Sequence, residues 1–452
     1  MTTLARQLAR FAVDTPAQAV SALAIERAQM SLASTIASAA MGQGIESAAL
    51  IREAEFDEGG APRAAVWFQG RRLPITRAAR VNAVASDAAA SDDSDLRSIA
   101  HIGTIISTAA LALGEHLNRP GLDLLAAMAI GYEIAGRIDE SLTPGRMRRG
   151  FHGSVSTVFG AAVAAGRLLA LDTPRMTHAI ALAATSIGGM AIAADTSCSR
   201  EYHAGNAAMI GLQAANAAMR GFRGEPAVLD APRGFLSAMN GQAFEDITKG
   251  LGDDWDIVTD MAIKLMPGAH PFHATAEAAA DAAIQGDVRP GDIERVTISA
   301  AVQWTHFRGD PHPRNLVDAA HSLVYFVAAS IVERKFDWSA MTVGKMRDPV
   351  IAAVQDKVVF DPDPPRLPDR FPHRHGGRVS ILLKDGRVFA SRCVAPRGSG
   401  PRGVAWEDVD AKYRRLAPMG GMGPRRVEQS LAMLHEFDRL DSVAPFVELI
   451  VS

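Results

Sequence analysis

The chain has 452 residues, more than one small core accommodates, so two domains are the natural expectation. Hydrophobic residues make up 48% and charged residues 21%, with a formal net charge of -3, so nothing electrostatic points to nucleic acid or an anionic membrane as partner. Two cysteines, Cys198 and Cys393, without a CxxC pair exclude a disulfide scaffold, an all-thiolate zinc site and an all-cysteine iron–sulfur cluster within one chain, and they suit a reducing cytoplasm.

In chain order, "MTTLARQLARFAVDTP" reads as an amphipathic first helix, with a transit peptide as the alternative. From about residue 4 to 260 the pattern is helical and rich in small residues. "LASTIASAAMG", "GTIISTAALALGEHL", "GLDLLAAMAIGYEIAGRI", "VFGAAVAAGRLLAL" and "NAAMIGLQAANAAMRGF" place apolar positions at i, i+3, i+4 and i+7. Ala and Gly let helices approach closely, which predicts a multi-helix domain with several buried members. "RAAVWFQG", within the less regular 50–75 segment, is a short strand or a loop. "HAIALAATSIGGMAIAA" (178–194) comes nearest to a membrane span, but its Ala, Gly, Ser and Thr suit a helix buried in a protein core.

The character changes near residue 264. A helix is predicted over 273–284, a half-buried strand over 294–304, and one helix over "LVDAAHSLVYFVAASIVERKF". "GRVSILLKDGRVFASRCV" (377–394) is two β-rich runs around a hairpin signal at Asp385-Gly386. "APRGSGPRG" (395–403) is a linker, and "WEDVDAKYRRLA" and "VEQSLAMLHEFDRL" return to helix. The expected fold is mostly α: a large all-helical domain over 1–262 and 403–452, with a smaller α+β domain over 263–402.

Five of the 13 histidines fall in four places with one local context. His101 precedes "IGTIISTAALAL", His152 precedes "GSVSTVFGAAVAA", His203 precedes "AGNAAMIGLQAA", and His270 and His273 flank "PF" ahead of "ATAEAAADAA". Each place lies before, or in the first turn of, an expected helix whose start is marked by Thr104, Ser154, Asn206 or Pro271. A helix N-terminus attracts anions and lowers the pKa of a nearby imidazole, which keeps it available as a base near neutrality. Converging termini of this kind would form a pocket for a polycarboxylate lined with proton-transfer groups. Taken singly, a histidine in this position is equally an ordinary cap neighbour. No HxxxH or HExxH lies on one helix face, so no metal is expected. Lys264 in "KLMPGAHPFH" and Arg200 in "SREYHAG" are each able to pair with a substrate carboxylate, or are solvated surface charges. "SDDSDLRSIAHIG" (91–103) sets Asp92 and Asp93 ahead of His101, readable as a metal site, half of an acid–base pair or a polar loop.

These residues resemble the MmgE/PrpD family, whose members include 2-methylcitrate dehydratase, cis-aconitate decarboxylase and iminodisuccinate epimerase. The resemblance runs over essentially the whole length. "NAVASDAAASDDSDLRSIAHIG" is similar to the family's N-G-x-x-x-H-x-x-D-F-D-D-T followed by H-P-G, and "GYEIAGRI" and "FHGSVSTVFGAAVAAGRLLALD" are similar to the next two blocks. "SREYHAGNAA" is similar to T-K-x-L-H-x-G-x-A, and "KLMPGAHPFHATAEAAADAA" to K-x-x-P with a histidine nine positions after the lysine. The resemblance implies a homodimer of a helical domain and a smaller lid domain with the active site between them, working without metal or other cofactor. By position it makes His101, His152 and Lys264 catalytic. It assigns Ser94, at a family threonine, together with Arg200, His203, His270 and His273 to substrate binding. Four positions depart: the motif's first Asp falls on Ala90, its upstream histidine on Asp87, the lysine of T-K-x-L-H on Arg200, and His270 stands one position off a decarboxylase histidine. Asp92 and Asp93 remain either as acids or as braces of the loop that carries Ser94 and His101.

The chemistry so implied is proton transfer at a carbon next to a carboxylate of a small di- or tricarboxylic acid. His152 or Lys264 would remove the proton, and Arg200 and helix N-termini would hold the carboxylates. The leading expectation is a hydro-lyase of the 2-methylcitrate dehydratase type, in which His101, or a water it orients, protonates the departing hydroxyl. An epimerase of a dicarboxylate, a decarboxylase and a non-catalytic dicarboxylate-binding relative are the alternatives.

Overall fold

The computed structural model describes residues 2–97, 100–143, 145–186, 188–241, 244–304, 309–365 and 376–451. The protein is mostly α and separates into two compact units, one of residues 1–194, 198–263 and 404–452, the other of 195–197 and 264–403. Among the described residues no helix is long and apolar enough to cross a membrane.

The first unit is helical because its periodic runs bury whole faces. Leu4–Asp14 turns Leu4, Ala5, Leu8, Ala9 and Ala12 inward, an amphipathic helix. At its centre, Ser154–Leu168 lies against Gly121–Leu142, Ile102–His116 and Ser199–Met219. Small residues set these distances: a Cβ on Gly131 would stand 2.7 Å from the Gly160 carbonyl oxygen, and one on Gly160 3.0 Å from that of Gly131. Ile105, Ile106 and Leu111 are fully buried, each contributing roughly 1.5–3 kcal/mol of apolar transfer. The last segment of the chain returns to this unit, where Trp406–Leu416 packs on Ala22–Gly42.

Two short antiparallel pairs complete the unit. Ala64–Val66 pairs with Arg71–Leu73, so "RAAVWFQG" opens as a strand. Asp93–Asp95 pairs with Met261–Ile263, with Ser94 opposite Ala262. The second pairing joins segments far apart in sequence and fixes the loop ahead of His101.

The expectation of one buried helix over 178–194 is corrected. The helix Thr173–Ala184 stops, and a separate turn of helix begins at Ala191. Gly189 at φ +125 takes a conformation closed to other residues, and Met190 and Ile192 beyond it are exposed.

In the second unit a four-stranded sheet runs in the order Val358–Phe360, Ile293–Ala300, Gly377–Leu383, Val388–Cys393. The first two strands are parallel and the others antiparallel. The last two form the hairpin marked by Asp385-Gly386, and Gly386 has φ +87. His273–Gln285 packs on this hairpin and against Leu323–Glu333. The single helix expected over 316–336 is two, Leu316–Ala320 and Leu323–Glu333. Ser322 separates them by capping the second, its hydroxyl accepting from the Tyr325 N–H at 3.2 Å.

Candidate active site

The first unit brings three of the sequence-nominated histidines into one row. His101 and His152 have ring centroids 6.0 Å apart with planes 30° from parallel, and His152 and His203 are 6.4 Å apart. His101 occupies the N-cap position of Ile102–His116, and His152 stands two residues before Ser154–Leu168. His203 differs from expectation. Its helix begins at Ser199 rather than at Asn206, so the imidazole projects from the second turn.

The carboxylates of the 91–103 stretch divide their work. Asp93 caps the helix, its two oxygens accepting from the backbone N–H of Gly103 (2.7 Å) and Thr104 (2.9 Å). Gly103 is glycine because this carboxylate leaves no room: a Cβ there would stand 2.2 Å from Ser31 Oγ and 2.5 Å from Asp93 Oδ2. Burial, and then the neighbouring Asp92, push the Asp93 carboxyl up to about 6 against the stabilisation from the two N–H groups. Asp92 instead faces His101, with Oδ2 2.5 Å from Nδ1. Ser94 is buried in the strand Asp93–Asp95. The loop is also held from below: Lys412 Nζ donates to Ser34 Oγ at 2.7 Å and to the Ser91 carbonyl.

Asp87, not nominated as a site residue, completes the surroundings of His101. Its Oδ1 lies 3.3 Å from Nδ1, and its Oδ2 accepts from Arg200 Nε at 2.7 Å. Arg200 is therefore not a solvated charge; it is buried and engaged with Asp87. Asp87, Asp92 and His101 offer three possible ligand atoms within 4.8 Å of one another, the one such group among the described residues. Arg200 already neutralises one carboxylate and Asp92 already bonds the ring nitrogen, so these donors are engaged with one another.

His152 carries the strongest perturbation of the row. Burial first, then the neighbouring His101, Arg146, Arg200 and His203, hold its imidazole well below the ordinary histidine value, so it is a neutral base at pH 7. Burial lowers His203 as well, with Asp87 opposing. Arg146 was not nominated: it lies in the 139–150 segment, which carries no motif, yet it is buried and paired with Asp139 at 2.9 Å. Beside His203 a cavity of about 180 Å³ is walled by Val155, Val158, Ile210, Ser186 and Asn206.

The second unit assembles the remaining nominated residues. His270 and His273 have ring centroids 5.0 Å apart, and His273 stacks on Phe326 at 6.1 Å. Burial, then His270 and Lys264, hold His273 well below the ordinary value, opposed by its bonds to the Gly268 and Pro267 backbone. Lys264 is 2% exposed, so it is not the solvated charge allowed for by sequence.

Comparison with known proteins follows the same outline. Cis-aconitate decarboxylase from Mus musculus is 29% identical over 359 residues, covering 76% of this chain and 72% of the relative. The enzyme of the same name from Homo sapiens is 28% identical over 365 residues, covering 78% and 75%. That from Aspergillus terreus is 25% identical over 416 residues, covering 84% and 82%. The MmgE/PrpD C-terminal domain profile matches residues 266–435. The MmgE/PrpD N-terminal domain profile matches residues 6–246, more than half the chain and the whole of the histidine row, and the chain belongs to the MmgE/PrpD family.

Proposed function

We propose that this protein is a lyase acting on a small di- or tricarboxylic acid, with His152 moving a proton at a carbon next to a carboxylate. One observation carries the reading: a histidine held neutral by its surroundings lies in a row of imidazoles, with a carboxylate-bonded His101 on one side. A neutral imidazole accepts a proton near neutrality, and its neighbours pass the proton on or supply another. The cavity beside His203, about 180 Å³, is smaller than the 300–1,000 Å³ pockets of drug-sized ligands and suits part of a small acid. The names of the relatives favour decarboxylation. In that reaction the bond from carbon to a carboxylate breaks, carbon dioxide leaves, and the electron pair left behind takes up a proton.

A hydro-lyase of the 2-methylcitrate dehydratase type is the second reading, because it calls for the same proton transfer beside a carboxylate, while Ala90, where the family motif has an acid, counts against it. In that reaction a C–H and a neighbouring C–O bond break, a double bond forms, and water leaves. Lys264, His270 and His273 belong to the same proposal as a second base and carboxylate-binding groups, and a homodimer is its expected assembly. The test is product analysis on cis-aconitate, 2-methylcitrate and a panel of small di- and tricarboxylic acids. Release of carbon dioxide supports the first reading, and loss of water with a new conjugated acid supports the second. Interconversion of stereoisomers without either loss, or binding without turnover, would remove lyase activity from the account.

A further inference from the structure

His101 Nδ1 faces two carboxylates at once, Asp92 Oδ2 at 2.5 Å and Asp87 Oδ1 at 3.3 Å. Asp92 bonds this nitrogen and Asp87 adds a second negative charge beside it, so Nδ1 carries the proton, which leaves Nε2 as the atom available for chemistry. Asp92 is supplied by the loop next to His101. Asp87 comes from the end of Ile75–Ala88 and has no local reason to point there. Arg200 supplies the reason. Its Nε donates to Asp87 Oδ2 at 2.7 Å and its Nη2 to the Asp87 backbone carbonyl at 2.5 Å. One guanidinium thus fixes the carboxylate and the main chain of the same residue, a two-point grip that only a planar fork provides.

We infer that Arg200 and Asp87 form a positioning pair, which holds His101 with its proton on Nδ1 and its Nε2 directed to the working side of the imidazole row. The inference rests on the proposed proton-transfer function for the meaning of the working side, and on geometry alone for the tautomer. It replaces the role sequence allowed for Arg200, which was to hold a substrate carboxylate. With its grip on Asp87, Arg200 is 9% exposed and Asp87 1% exposed, so the pair is part of the buried frame. Burial alone would weaken the Arg200 charge, but Asp87, Glu201 and Asp92 outweigh it and keep the guanidinium charged. The charged and titratable groups that face His101 are Asp87, Asp92, Asp93 and His152, with Arg200 behind Asp87. Glu201, the next residue along from Arg200, accepts from Ser47 Oγ at 2.7 Å instead.

Two substitutions test the pair. Arg200→Lys keeps the charge and loses the fork, and Asp87→Asn keeps the shape and loses the charge. The first measurement is the tautomer of His101 by long-range proton–nitrogen NMR on histidine-labelled protein, with the signal assigned through His101→Gln. The wild type is expected to show the proton on Nδ1, and both variants a mixture of tautomers. The second is turnover. Outer partners that orient a metal-bound histidine cost about 10–100-fold when removed, and a loss of that order is expected here, in kcat with KM changed less than about threefold. A raised KM with the His101 tautomer intact would return Arg200 to substrate binding and overturn the inference. An unchanged tautomer with only lowered stability would make the pair structural and overturn it as well. Should Arg200→Lys not fold, the isosteric Asp87→Asn carries both measurements. If no acid is turned over even by the wild type, the functional proposal fails while the tautomer result still decides the pair.

Discussion

Replacing Asp92 by Asn isolates the contact on which the His101 assignment rests. Asp92 is fully buried and its Oδ2 lies 2.5 Å from His101 Nδ1, so the substitution removes a charge-assisted hydrogen bond without opening a cavity. Such a bond contributes about 1.5–3 kcal/mol. Asn offers Nδ1 either a carbonyl oxygen or an N–H donor, and in the second arrangement the ring proton moves to Nε2. A misplaced proton disables one acid–base group, an effect of about 10²–10⁴-fold in rate. Asp87, held by Arg200, still faces the ring and moderates the loss, so the expected fall in kcat is about 10²-fold, the lower end of that range. KM should change little, because Asp92 is bonded to His101 and not to a substrate. Steady-state kinetics paired with urea unfolding decides the matter. A variant that turns over at the wild-type rate would refute the reasoning, as would one whose whole loss is accounted for by unfolded protein.

Three further outcomes follow from the same loop. Gly103→Ala should destabilise the first unit by about 1–3 kcal/mol in urea unfolding, since its Cβ falls within 2.5 Å of Ser31 Oγ and Asp93 Oδ2; an unaltered midpoint would contradict the close approach. The Asp93 carboxyl, pushed up to about 6 from an ordinary 3.8 chiefly by burial, holds its proton more tightly folded than unfolded. Its stabilising contribution, of order 3 kcal/mol, is fully present below pH 3.8 and is lost as pH rises through 6. Subtracting the Asp93→Asn stability curve from that of the wild type should expose this slope, and a flat difference would count against it. Ala90 sits at φ +49, and Ala90→Gly should raise the melting temperature, by about 0.5–1 kcal/mol in stability once the unfolded-state entropy of Gly is subtracted; a drop would mean that the methyl group packs better than the backbone is strained.

What sequence disclosed, and what it hid, follows the range of the interactions involved. The helices around Ile102–His116 and Ser154–Leu168 were legible because their apolar periodicity is local, and the mostly α architecture followed from them. His101 and His152 stood out for the same reason: each sits at the start of such a helix, where composition marks the boundary. The Asp93 cap was half legible, as a brace competing with an acid, since the ten-residue step to Gly103 spans a loop without regular spacing. Asp87 was visible only as a departure from a motif, and Arg200 also as a cation for a substrate carboxylate, never as the partner of Asp87. They are 113 positions apart, and nothing in either neighbourhood announces the other. Arg146 was missed because its partner Asp139 lies seven residues back along a segment with no periodic signal, and its effect on His152 is electrostatic. The break after Ala184 had a written cue, Gly188-Gly189, which a hydropathy reading of 178–194 passes over.

The account turns on His152 as the group that handles the carbon-bound proton. The most direct measurement is mass spectrometry of the acids recovered after incubation in heavy water with the wild type and with His152→Gln. The wild type should deliver one solvent deuteron to the carbon beside a carboxylate, in the product of decarboxylation or in substrate returned by reversible dehydration, and the variant should deliver almost none while unfolding at the same temperature. Turnover that leaves every carbon unlabelled, or labelling that survives the loss of His152, would contradict it.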